Sequence, residues 1–211
     1  MNVQEIIEFA DTARIEDVKD ILDLQIECNV NISEEGLAGD YGANTGKVLL
    51  KTYGTDDVKI RAKAKAAAGS DARMNGCEMP VVINSGSGNQ GISATLPVVV
   101  FAEENGKSEE ELIRALMLSH LTVIYIKQSL GRLSALCGCV VAAIGSSCGI
   151  TWLMGGNYNQ VAFAVQNMIA NLTGMICDGA KPSCALKVTT GVSTAVLSAC
   201  LLYTSDAADD M

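Results

Sequence analysis

From Leu133 through Cys177 the chain carries no Asp, Glu, Lys or Arg. A run of that length invites a transmembrane reading, because about 20 apolar residues span a bilayer. Its composition argues otherwise: LSALCGCVVAAIGSSCGITWLMGGNYNQ is rich in Gly, Ala, Ser and Cys and is broken by GG and NYNQ. Small residues let backbones approach closely, which predicts central helices buried on all sides, and no membrane partner. Basic residues are also scarce, 15 Lys and Arg against 24 Asp and Glu, for a formal net charge of -9. Phosphate binding needs clustered Lys and Arg, so nucleic acid is excluded as a partner. The N-terminus has acids at Glu5, Glu8 and Asp11 and no basic segment leading into an apolar one, so no secretory signal is read there and a cytoplasmic location is expected. Strand-period alternation is missing too, and PVVV at 97–100 is too short to carry a sheet.

What is present is helical. Residues 15–28 place Val18, Ile21, Leu22 and Ile26 near helical spacing, predicting an amphipathic surface helix, and the turn-rich NISEEGLAGDYGANTG follows. The Ala, Lys and Arg of VKIRAKAKAAAGSDAR favour a helix, and residues 108–131 open with Ser108 and Glu111 in the capping-box pattern. With 211 residues, 49% hydrophobic, the expected fold is mainly α: a multi-helix globular domain with buried, small-residue-rich central helices.

Eight cysteines in a chain of this size without an export signal point to reduced thiols or metal ligands rather than disulfides. Cys177 and Cys184 flank the Gly- and Pro-containing turn of MICDGAKPSC, which can aim two thiolates at one centre, and Cys137 or Cys139 of GRLSALCGC offers a third. The spacing is not that of a zinc ribbon, and buried cysteines also serve as plain hydrophobes, so both readings stand at this level. The loop NSGSGNQG, 84–91, is neither a phosphate loop nor a dinucleotide fingerprint. Glycine-freed backbone N–H groups, the side chains of Ser85, Ser87, Asn89 and Gln90, and a helix start at Ile92 describe a small-anion site, against the alternative of a flexible turn. His120, the only histidine, sits among apolar residues of ALMLSHLTVIYI, where a structural role is the commoner one. Arg73 and Lys181 are electrostatic candidates without a firm role. Cys77 and Cys148 read as packing residues.

The blocks DARMNGCEMPVVINSGSGNQGISATLPVVVFAEE, RALMLSHLTVIYIKQSLGRLSALCG and GMICDGAKPSCALKV closely resemble the L-cysteine desulfidase family, relatives of the iron-sulfur L-serine dehydratase α chain. The resemblance covers nearly all of residues 4–199 and is to the C-terminal half of the family only. It implies a [4Fe-4S] cluster held by Cys137, Cys177 and Cys184, with Cys139 ranked below Cys137, and one iron left open as a Lewis acid. It implies β-elimination from a small amino acid, L-cysteine to pyruvate, ammonia and sulfide, with L-serine dehydration or a non-enzymatic metal protein as alternatives. Ser85, Gly86, Ser87, Gly88, Asn89 and Gln90 would then contact the substrate. The family's Cys-Thr-Glu-Pro-like motif, to which the proton acceptor is ascribed, lies before the point where this chain starts. The base is therefore expected in a missing N-terminal half or a separate subunit, with His120 a weaker candidate, and there is room for a homo-oligomer. Residues 1–199 are thus expected to form a truncated catalytic domain. Residues 200–211, through CLLYTSDAADD, match one reading frame of a transposon-type sequencing adapter and are expected to be an artefact tail.

Overall fold

The computed structural model describes residues 2–131 and 134–205, with side chains through Leu201, and the remainder of the adapter-like tail lies outside the described residues. Helix α1 (Val3–Thr12) leads through a 3-10 turn (Ile15–Asp17) into α2 (Lys19–Ala38), α3 (Thr45–Tyr53) and α4 (Val58–Met74). Then follow α5 (Gly88–Glu104), α6 (Glu109–Leu130), α7 (Gly138–Leu153), α8 (Tyr158–Leu172) and α9 (Cys184–Ser205). No strand occurs among the described residues beyond two isolated bridges, and PVVV lies inside α5 with Pro97 in the helix interior.

The middle of the fold is α7, which packs on α5, α6, α8 and α9. Its residues from Cys139 to Leu153 are buried except Trp152, so the charge-free run does make a helix buried on all sides. Desolvating a charge there would cost several kcal/mol, which is why small apolar and hydroxyl residues fill it. The second helix of the run, α8, buries only Val161, Ala164 and Met168 and leaves Phe163 and Ile169 about half exposed. Among the described residues one helix is long and apolar enough to cross a membrane, α9 between Cys184 and Leu201, and half of that window is buried in the fold.

Helix α2 differs from the sequence expectation. The turn-rich stretch after residue 28 is helical as far as Ala38, because α2 continues along the Ala-rich α4. Ile32, Ser33 and Gly36 form the contact face, and Ser33 Oγ donates to the Lys65 carbonyl at 2.7 Å. The buried face of α2 is accordingly Leu22, Gln25, Cys28, Asn29 and Ile32, while Ile21 stays 65% exposed. The start of α6 is as expected: Ser108 accepts from the Glu111 N–H, and the Glu111 carboxylate accepts from the Ser108 N–H at 2.8 Å.

Candidate functional site

Cys137 is the residue immediately before α7. The segment leading to it runs antiparallel to the one leading to Cys177: Leu136 bridges Ile176, the Cys137 N–H donates to the Met175 carbonyl at 3.1 Å, and the Cys177 N–H donates to the Ala135 carbonyl at 2.8 Å. A turn from Asp178 then returns the chain to Cys184, which opens α9, the helix packed along α7. The Lys181 N–H points at Cys184 Sγ from 3.5 Å. Three elements thus meet at the α7 start, with Cys137 and Cys139 buried, Cys184 half-buried and Cys177 exposed.

The thiols sense one another. A hydrogen bond from Cys139, aided by backbone N–H groups at the helix start, holds the Cys137 thiol down to about 6 against the effect of burial. Cys139 is pushed well up, first as the donor to Cys137, then by burial and by the nearby Cys137, Cys184 and Cys177. This ranks Cys137 above Cys139 as a thiolate. Lys187, one helical turn after Cys184, donates to the Ile176 carbonyl at 3.1 Å and pairs with Asp178, which also receives Lys181 at 3.1 Å. The two lysines hold the Asp178 carboxyl well below its usual range, Lys187 first. Two cations on one carboxylate leave a positive surplus beside Cys137 and Cys177. Among the described residues no three Cys, His or carboxylate side chains stand close enough to chelate a single ion. The donor set brought to that corner, thiols beside the Lys187 ammonium, is the soft kind that suits iron-sulfur or zinc.

The Gly-rich loop has a defined shape. Asn84 and Ser87 exchange main-chain hydrogen bonds at 3.3 Å around Ser85 and Gly86, whose φ angles of 49° and 104° are both left-handed. Helix α5 then begins at Gly88, earlier than the expected start at Ile92, so Gly88, Asn89 and Gln90 form its first turn. No side chain caps that turn, leaving its N–H groups free for a ligand. Gln90 reaches the thiol corner: a Cβ on Gly138 would lie 2.6 Å from its Nε2. The loop and the cysteines, separate in sequence, therefore share a wall. The buried oxygens Asn84 Oδ1, Asn89 Oδ1 and Gln90 Oε1 have no donor, unusual for interior amides and fitting for a site that receives a ligand. A cleft of about 740 Å³ opens beside Ser85, Gly86 and Lys127, and a smaller apolar cavity of about 190 Å³ lies at Cys137.

His120 supports this loop from beneath. Its Nδ1 lies 2.8 Å from Asn84 Nδ2, which is also 3.4 Å from the His120 carbonyl, so the amide donates and Nδ1 accepts. The proton then sits on Nε2, facing Thr95 Oγ1 at 3.4 Å. Burial lowers the imidazole to about 4, so it is neutral at pH 7. Below pH about 6.5 the unfolded chain takes up a proton that the folded chain refuses, and stability is lost as pH falls toward 4, by of the order of 3 kcal/mol. Urea unfolding of the parent and His120→Asn between pH 7 and 4.5 should show a shallower decline in the variant, and parallel declines would refute this account.

Sequence reasoning named the three cysteines and the loop but missed the partners that join them. Lys187 was legible only as a residue three after Cys184 on a helix. Asn84 is tied to His120, and Arg73 lies against Gly88, contacts between residues far apart in the chain. Lys181 is engaged with Asp178. Cys148 is wholly buried, its thiol pushed up to about 12 by burial, as a packing residue should be.

A family model described as serine dehydratase alpha chain matches residues 2–211. A UPF0597 protein of Bacteroides thetaiotaomicron is 70% identical over 203 residues, covering 94% of this chain and 47% of the relative. A UPF0597 protein of Bacteroides fragilis is 68% identical with the same coverage, and one of Desulfitobacterium hafniense is 57% identical over 93% of this chain and 46% of the relative. The chain spans about half the length of the curated relatives it matches. No solved structure matches it.

Proposed function

The chain belongs to the serine dehydratase alpha chain family, and from that premise we propose that it serves an iron-sulfur-dependent β-elimination on a small amino acid, L-cysteine going to pyruvate, ammonia and sulfide. The observation that carries this reading is the contact of Gln90 with Gly138, which joins an uncapped helix start to the cysteine corner. A [4Fe-4S] cluster held by Cys137, Cys177 and Cys184 would supply a Lewis-acidic iron at an open coordination position. The first turn of α5, with Ser85, Gly86, Ser87, Gly88, Asn89 and Gln90, binds and orients the substrate. Lys187 and Lys181 balance the charge of the thiolates through Asp178. His120, neutral and locked to Asn84, positions the loop and does not take the proton. The acceptor for the α-proton is assigned to the part of the family's polypeptide that this chain does not span, or to a separate subunit carrying it. Eight free thiols suit a reducing cytoplasm.

L-Serine is the second reading of the substrate, favoured by the description of the family model. Anaerobic reconstitution with iron and sulfide, followed by addition of L-cysteine or L-serine, tests the proposal. A change in the visible or electron paramagnetic resonance spectrum is expected with the preferred substrate, without sulfide or pyruvate release by the chain alone. A chain that incorporates no iron, or whose spectrum answers to neither amino acid, would rule the reading out.

A further inference from the structure

Helix α4 carries Lys59, Arg61, Lys63, Lys65 and Arg73, and Lys63 lies over the Tyr53 ring. Arg61 pairs with Glu104 and Lys65 with Glu103, whereas Arg73 has no carboxylate partner among the described residues and donates only to Met74 Sδ, at 3.2 Å. A thioether is a weak acceptor, so most of the guanidinium's five donors are unused. The side chain is half-buried and lies flat on α5: a Cβ at Gly88 would stand 2.9 Å from Arg73 Cδ and 3.1 Å from Cζ. Glycine at position 88 is what lets a guanidinium rest on the first turn of a helix whose N–H groups no side chain caps.

Unpartnered neutral acceptors lie at the same helix start. Asn89 and Gln90 are 3% and 6% exposed, and the Oδ1 of one and the Oε1 of the other are buried without a donor. Cationic and N–H donors on one side, and orphaned acceptors on the other, match an α-amino acid, which carries a carboxylate and an ammonium one carbon apart. Gln90 leads on to Gly138 and Cys137, the direction in which the β-substituent would point.

We propose that Arg73 binds the α-carboxylate of the amino acid through its guanidinium fork, while the Asn89 and Gln90 oxygens accept from the α-ammonium, so that Arg73 selects free amino acids over esters and amides. This rests on the function proposed above. A planar fork suits a carboxylate better than a lysine ammonium does, so the conservative replacement should restore only part of the affinity.

The test is calorimetric titration of the anaerobically reconstituted 211-residue chain with L-serine and with L-serine methyl ester, for the parent, Arg73→Gln and Arg73→Lys, with iron content and melting temperature measured alongside. Arg73→Gln should weaken L-serine binding about ten- to a hundredfold, leave the ester nearly unchanged and retain iron, with Arg73→Lys in between. Equal L-serine affinity in parent and Arg73→Gln would overturn the role of Arg73 and leave the proposed function standing. A parent chain that binds neither compound, nor L-cysteine in the same titration, would overturn both. If Arg73→Gln does not fold, Arg73→Lys decides: an undiminished preference for L-serine over its ester counts against the proposal, and a reduced one supports it.

Discussion

Replacing Cys137, Cys177 or Cys184 singly by serine is expected to abolish iron binding. The reconstituted parent should hold roughly four irons and four acid-labile sulfides per chain, the content of one [4Fe-4S] cluster. Each serine variant should fall to a small fraction of that, because a hydroxyl is a far poorer soft ligand than a thiolate. Cys137→Ser should be the most severe, since its sulfur is buried where the antiparallel segments meet the start of α7 and has the lowered thiol pKa of about 6. Cys148→Ser is the control: that thiol is buried elsewhere in α7 and should leave iron unchanged. Zinc in place of iron, or iron indifferent to the three substitutions, would return these cysteines to a structural role.

The second large effect is on stability, at Gly91→Ala. A Cβ there would drive into the Val82 carbonyl oxygen and come within 3.1 Å of its carbon, and backbone cannot rotate away as a side chain can. Val82 is held from its other side by Asn29, which accepts from the Val82 N–H at 3.1 Å and donates to its carbonyl at 3.2 Å. Relief therefore means breaking those bonds or shifting α5, a cost of about 2–3 kcal/mol. For a chain of this size that lowers Tm by roughly 5–10 °C. Gly76→Ala makes the comparison: φ is +87° with nothing nearby, so only left-handed backbone strain of about 1 kcal/mol is expected. Equal melting temperatures for the two variants would show that the close approach of Gly91 to Val82 is not rigid.

Much of the fold was legible in one dimension because helical period, capping chemistry and the cost of buried charge act locally or on composition. Ser108 and Glu111 announced α6, and the charge-free run announced the buried α7. The misjudged boundaries were set by distant partners. Glycine and serine at 33–36 read as turn residues, yet they make the close face of α2 against α4. Gly88 read as loop, yet it starts α5 and seats Arg73.

By itself the sequence determined the helical class and marked Cys177, Cys184 and the Gly-rich loop, since residue type and spacing carry that information, while only the family resemblance singled out Cys137 over Cys139. Only the tertiary structure decided that the loop touches the cysteine corner through Gln90 and Gly138, that Lys187 rather than Lys181 alone faces the thiols, and that His120 serves Asn84. Those pairings join residues far apart in the chain. They depend on how α5, α6, α7 and α9 pack, a matter of complementary small and large side chains that no local pattern encodes.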